Sequence, residues 1–165
     1  MKGPLIVTGC QRSGTCIVTH ILAEEYNLSV LGDRDLHATY GDLSKLKLLL
    51  DNNLTNFIVQ MPSALLMYVD MFHTYPDLHF VGVMRDTEEI IDSMKRIEWQ
   101  KNTYYHWIDY MYDHVKMMKS NWCALKEILP DTSWTEVQYN SFSEHPLFIP
   151  KEKRMKFTPN QWNLE

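Results

Sequence analysis

The sequence predicts an α/β fold built on a mostly parallel sheet. Three observations predict it. Short apolar runs alternate with longer segments of helical period, in the order βαβαβαβ-α-β. The first run, PLIVTG, is apolar at successive positions rather than at every second one, the pattern of a strand buried on both faces. That run passes through a glycine-bounded turn, GCQRSGTC, straight into a helical pattern.

Each element follows in order. After PLIVTG, residues 15–26 read as a helix with Ile17, Ile21 and Leu22 on one face. LSVLG is a second, short strand, and DLSKLKLLLDNN a helix that ends in asparagines. NFIVQ is a third strand, followed by the helix SALLMYVDMFHTY, stopped by Pro76. LHFVGVM is a fourth strand. It leads into RDTEEIIDSMKRI, where Asp86 is placed to cap a helix and Glu89 to complete a capping box. From Thr103 to Leu129, Trp107, Met111, Val115, Met118, Trp122, Leu125 and Leu129 recur at spacings of three and four, a long amphipathic helix closed by Pro130. This stripe reads as core rather than as a pocket. SWTEVQY is the last strand. No repeat, linker or low-complexity run divides the 165 residues, so one domain over residues 1–165 is expected.

Composition narrows the function. A chain with 45% hydrophobic residues, 22% charged residues and a formal charge of −5 is globular and offers no long basic run for duplex nucleic acid. The three cysteines, Cys10, Cys16 and Cys123, form no Cys-x-x-Cys pair, which argues against a disulfide framework or a structural zinc site. The N-terminal apolar run is too short for a signal core or a membrane span. The expectation is a cytoplasmic protein with no nucleic-acid or membrane partner.

Binding sites in open parallel sheets lie at the carboxyl ends of the strands. That brings Gly9–Cys16, Gln60–Ser63 and Arg85–Asp86 to one edge. Gly9 and Gly14 have the spacing of an ATP-type phosphate loop, G-x-x-x-x-G-K-(S/T), in which backbone N–H groups and a helix N-terminus surround an anion. The lysine that neutralises the β- and γ-phosphates is Thr15 here, and the hydroxyl that holds magnesium is Cys16. Both changes disfavour a magnesium-nucleotide site. Arg12, followed by Ser13, supplies a fixed positive charge from inside the loop instead. Neither Cys10 nor Cys16 is followed by an arginine across five intervening residues, as the Cys-x-x-x-x-x-Arg of a cysteine phosphatase needs, and both read as small buried packing residues.

CQRSGTC after an apolar strand resembles the 5′-phosphosulfate loop of sulfotransferases, Pro-(Lys/Arg)-(Ser/Gly)-Gly-Thr-(Thr/Ser). Arg12, Ser13, Gly14 and Thr15 match, with Gln11 in place of the proline and Cys16 in place of the last hydroxyl. FVGVMRDTEEIIDSMKR resembles the family's second motif, a strand ending in Arg-(Asp/Asn)-Pro and a helix with a serine eight residues after the arginine. Arg85, Asp86 and Ser93 match, and Thr87 stands for the proline. The basic C-terminal stretch KEKRMKFTPNQW is similar to the segment that closes over the nucleotide in that family, with Arg154 or Lys156 as the arm and a solvated basic tail as the plain alternative. TEVQYNSF resembles a late Val-x-Tyr-Glu-Asp-Leu strand, matching at Tyr139.

The resemblance implies a parallel-sheet, P-loop-type (sulfotransferase-like), three-layer αβα fold. It implies a sulfotransferase that takes its sulfuryl group from 3′-phosphoadenylyl sulfate (PAPS), releases 3′-phosphoadenosine 5′-phosphate (PAP), and uses no metal. Residues Arg12, Ser13, Gly14, Thr15 and Cys16 would hold the 5′-phosphosulfate, and Arg85 and Ser93, with Arg154 or Lys156, the 3′-phosphate. The acceptor would be a hydroxyl or amine on a small molecule or carbohydrate. Arg12 would stabilise charge on the leaving phosphate. The family's catalytic lysine at the end of the central strand has no counterpart, since FIVQMPSAL offers Gln60, Met61 and Ser63. His37, beside Asp33 and Asp35, is the substitute base, because an unperturbed histidine titrates near pH ~6.5. The remaining histidines, including His106 and His114 on the surface of the long helix, have less claim. Two rivals stay open: a PAP- or PAPS-binding protein without catalysis, and a nucleoside or nucleotide kinase.

Overall fold

The computed structural model describes residues 4–31, 44–52, 54–61, 68–96 and 111–150, together with Lys153. Strands β1 (Leu5–Gly9), β2 (Ser29–Leu31), β3 (Phe57–Gln60), β4 (His79–Met84) and β5 (Trp134–Gln138) form a sheet of order β2-β3-β1-β4-β5. Every neighbouring pair is parallel. β1 lies at the centre, as its unbroken apolar run requires, and Leu5, Ile6 and Val7 are fully buried.

Alternation along the strands assigns each side chain to a face. Leu5 and Val7 of β1 and Val81 and Val83 of β4 pack with Val18 and Leu22 of α1 (Thr15–Tyr26). Ile6, Val59 and Phe80 turn to the opposite face. There α2 (Ser44–Asp51), α3 (Tyr68–Thr74), α4 (Thr87–Arg96) and α5 (Met111–Ile128) bring in Leu46, Met71, Ile90, Met94 and Trp122. The sheet is thus sandwiched between helical layers, and the predicted strands stand at their predicted places.

Among the described residues α5 begins at Met111, and Trp107 with the rest of 103–110 lies outside them. Its stripe is core as expected, with Val115, Met118, Trp122 and Leu125 buried. Gly82 makes room for the largest of these: a Cβ there would fall 2.3 Å from the Trp122 indole. The Trp122 Nε1–H donates to Glu136 at 2.8 Å, and the ring meets Trp134 edge-on at 6.4 Å.

The two helices that open toward the carboxyl edge start differently. α4 is capped by Asp86, whose Oδ1 accepts from the N–H groups of Glu88 at 2.9 Å and Glu89 at 3.2 Å. The expected capping box does not close, because the Glu89 carboxylate takes the Arg85 Nε–H at 2.9 Å instead. A guanidinium is the stronger partner. α1 follows Gly14 with no side-chain cap and no acidic residue in its first turn, so among the described residues no carboxylate of that turn competes for its N-terminal N–H groups. No helix among the described residues is long and apolar enough to cross a membrane.

Candidate functional site

The site lies where β1, β3 and β4 end side by side. The loop after β1 holds an unusual backbone: Arg12 has φ 69° and Gly14 φ 102°. A left-handed arginine costs about 1–2 kcal/mol, a strain that persists only where surroundings enforce it. Arg85, leaving β4, enforces it: its Nη1–H donates to the Arg12 carbonyl at 3.1 Å. Gly14 serves close approach. A Cβ there would fall 2.2 Å from the ring of Tyr139, the residue that follows the end of β5. The Arg85 guanidinium lies over the same ring, 4.5 Å from its centroid.

On the β3 side, Gln60 donates through Nε2 to the Thr15 hydroxyl at 3.2 Å. Thr15 is buried, and its own carbonyl accepts the Thr19 hydroxyl at 2.8 Å. Ser13 is fully buried, and its Oγ has no hydrogen-bond partner among the described residues. A buried hydroxyl left unpaired calls for a partner, such as a water or a ligand oxygen.

The second motif meets the first at Ser93. This serine is 4% exposed, on the face of α4 that turns inward. Its Oγ accepts from Arg12 Nε at 3.4 Å and from Arg96 Nη2 at 3.2 Å. Three guanidinium groups therefore gather at one hydroxyl and one loop carbonyl. Burial lowers the Arg12 pKa, and the neighbouring charges of Arg96 and Arg85 lower it further. Among the described residues, Glu89 on Arg85 is the one carboxylate bonded to the group.

Arg12, Ser13, Gly14, Thr15, Arg85 and Ser93 are thus brought together. Cys16 corrects an expectation: it is exposed, on the stripe of α1 that also carries His20 and Glu24, whereas Cys10 is buried. Burial pushes the Cys10 thiol up to about 12 against a small opposing pull from Lys119, so Cys10 is no nucleophile. His37, with Asp33 and Asp35, lies outside the described residues, as do Ser63, Arg154 and Lys156.

Three partners were not anticipated. Arg96 stands three residues after Ser93, and an i,i+3 pair shares a helix face, so the spacing itself was a signal. His114 is half-buried rather than superficial and pairs through Nε2 with Gln11 Oε1 at 2.9 Å, which ties α5 to the loop. It stands three residues from Met111 and four from Met118, at the border of the apolar stripe. Lys119 donates to the Thr87 hydroxyl at 2.8 Å, an anchor that a proline at that position would lack.

No family model and no curated protein sequence matches the chain. Solved structures do. A sulfotransferase from Alicyclobacillus acidocaldarius is similar over 88% of this chain and 76% of its own, at 11% identity and TM-score 0.56. The sulfotransferase domain of the curacin biosynthetic pathway is similar over 88% of this chain and 70% of its own, at 14% identity and TM-score 0.55. Shikimate kinase from Bacteroides thetaiotaomicron is similar over 85% of this chain and 88% of its own, at 9% identity and TM-score 0.54. These likenesses show the fold: a P-loop-type α/β domain, with sulfotransferases and kinases both among its neighbours.

Proposed function

We propose that the chain is a PAPS-dependent sulfotransferase that transfers the sulfuryl group to a hydroxyl or amine of a small-molecule or carbohydrate acceptor. One observation carries the reading: Arg12 of the loop and Ser93 of the second motif, 81 residues apart in sequence, meet at 3.4 Å beside the Arg85 guanidinium. Two phosphate-binding elements placed this way suit a nucleotide with phosphates at two positions. The unpaired Ser13 hydroxyl and the uncapped start of α1 fit the 5′-phosphate, and Arg85 with Ser93 the 3′-phosphate. Arg154 and Lys156 are proposed to complete the latter.

When bound, PAPS supplies the sulfuryl group: its S–O bond to the 5′-phosphate breaks as sulfur bonds to the acceptor oxygen or nitrogen. Arg12 and the N-terminal N–H groups of α1 stabilise the charge left on the phosphate, already oriented before reaction. Thr15, held by Gln60, positions the loop for alignment. Gln60 does not titrate, so proton removal from the acceptor is assigned to His37.

The kinase reading has the same support from fold likeness. The loop separates them, since Thr15 and Cys16 stand where a magnesium-ATP site needs lysine and a hydroxyl. Binding without turnover is favoured by one feature, the engagement of Gln60 with Thr15 at the strand end where a catalytic lysine is absent. Calorimetric titration with PAP, ADP and magnesium-ATP tests the nucleotide assignment. Preference for PAP is the expected result, and preference for ATP would overturn it.

A further inference from the structure

We infer that Arg96 is a third cationic ligand of the phosphate site at Ser93, and that through it this site selects a doubly charged phosphate monoester over a singly charged anion. The inference rests on the nucleotide reading above and names the charge state that the site is built for.

Hydrogen-bond accounting comes first. A serine hydroxyl has one proton and two lone pairs, and a guanidinium has donors only. Arg12 and Arg96 both donate to Ser93 Oγ, at 3.4 and 3.2 Å. The Ser93 proton can go to neither. Ser93 is buried, and among the described residues no acceptor receives its O–H. Every group at this point is therefore a donor, and what completes it is an acceptor of several hydrogen bonds.

Charge gives the second constraint. Arg12, Arg85 and Arg96 contribute three positive charges, and Glu89, bonded to Arg85 at 2.9 Å, cancels one. Two remain. The like charges already weigh on Arg12, whose proton is held less tightly because of burial and then Arg96 and Arg85. A phosphate monoester carries close to two negative charges above its second pKa of ~6, whereas a sulfate ester or phosphodiester carries one. Among the described residues the monoester matches that charge and the others leave one positive charge unmet; Arg154 and Lys156, proposed above for the same phosphate, would add to the preference for the monoester. Arg96 makes the difference, since without it one positive charge remains.

The test compares three nucleotides by calorimetry on the full chain: PAP, adenosine 5′-phosphate, and the 2′,3′-cyclic form of PAP, in which the same phosphorus carries one charge. Wild type is measured beside Arg96→Gln and Arg96→Lys, each checked for folding by circular dichroism and melting. Wild type should bind PAP at least tenfold more tightly than either comparison ligand. Arg96→Gln should lose roughly tenfold or more on PAP, the scale of one charge-assisted hydrogen bond, and stay within about twofold on the other two. Arg96→Lys should fall between. Equal losses on all three ligands, or no loss on PAP, would overturn the role of Arg96 while leaving the PAP preference of wild type intact. A wild type indifferent to the 3′-phosphate would overturn the nucleotide reading itself and this inference with it.

Discussion

The Tyr139 ring occupies the space that a side chain on Gly14 would need, with ring carbon Cδ2 only 2.2 Å from the position of a Cβ at that glycine. Gly14 also holds φ 102°, where an L-residue is strained. Gly14→Ala should therefore cost about 2–4 kcal/mol, the sum of a positive-φ penalty and overpacking. Thermal melting should show a Tm lower by roughly 5–15 °C. In a double-mutant cycle with Tyr139→Ala the two losses should not add, because one removes the clash that the other creates. Full additivity would mean the ring and the loop act separately.

Arg85 makes two contacts inside the protein, to the Arg12 carbonyl and to Glu89, and lies over Tyr139. Arg85→Ala should weaken PAP by about 1.5–3 kcal/mol, as expected for a lost charge-assisted contact. Adenosine 5′-phosphate should lose less, through loosening of the loop alone. Equal losses by calorimetry would reduce Arg85 to a brace for the loop.

The cysteines offer a chemical readout of the site. Cys16 and Cys123 are exposed, while Cys10 is buried with its thiol pushed up to about 12. Iodoacetamide at pH 8 should modify the first two in the native protein and Cys10 only after unfolding. Bound PAP should protect Cys16, at the second position of α1, and leave Cys123 unprotected. Peptide mapping by mass spectrometry checks both statements, and rapid native labelling of Cys10 would contradict its placement.

Burial lowers the pKa of both His114 and His79. The folded protein prefers these rings neutral, so as pH falls through ~6.5 the unfolded chain takes up protons first. Their share of stability is intact above that value and is lost as pH falls from it toward the lower folded-state values. Urea unfolding at pH 7.5 and 5 should show the decline. His114→Gln, which keeps a polar partner for Gln11, should flatten it, and an unchanged slope would place the ring in solvent.

The strands and helices were legible because their signals are local. PLIVTG is apolar at successive positions, and the stripe from Met111 to Leu129 repeats at helical spacing. The approach of the Arg12 loop to Arg85 was also legible, since strand ends in a parallel sheet share an edge, whereas the direct contact of Arg12 with Ser93 was not. What was lost depended on competition and on rotation about a helix axis. Glu89 looked like half of a capping box, but Arg85 outbids the backbone N–H for its carboxylate. His114 looked superficial until α5 was docked on the loop, and Arg96 needed the inward face of α4 to be known. Cys16 looked buried by residue type, yet it falls on the exposed stripe of α1 with His20 and Glu24.

Salt weakens most proteins' ion pairs. The arginine cluster reverses the sign: two guanidinium groups meet at Ser93 with a third on the adjoining loop carbonyl, and mobile ions relieve the repulsion among them. Melting temperature should accordingly rise from low to moderate chloride, and on the proposed reading it should rise further in phosphate, by the linkage of a ligand that binds the folded form alone. On the proposed reading the buffer anion is a silent component of any affinity measured for this protein, since it would compete with the nucleotide for the same side chains. Affinities for PAP obtained in phosphate buffer will understate the site.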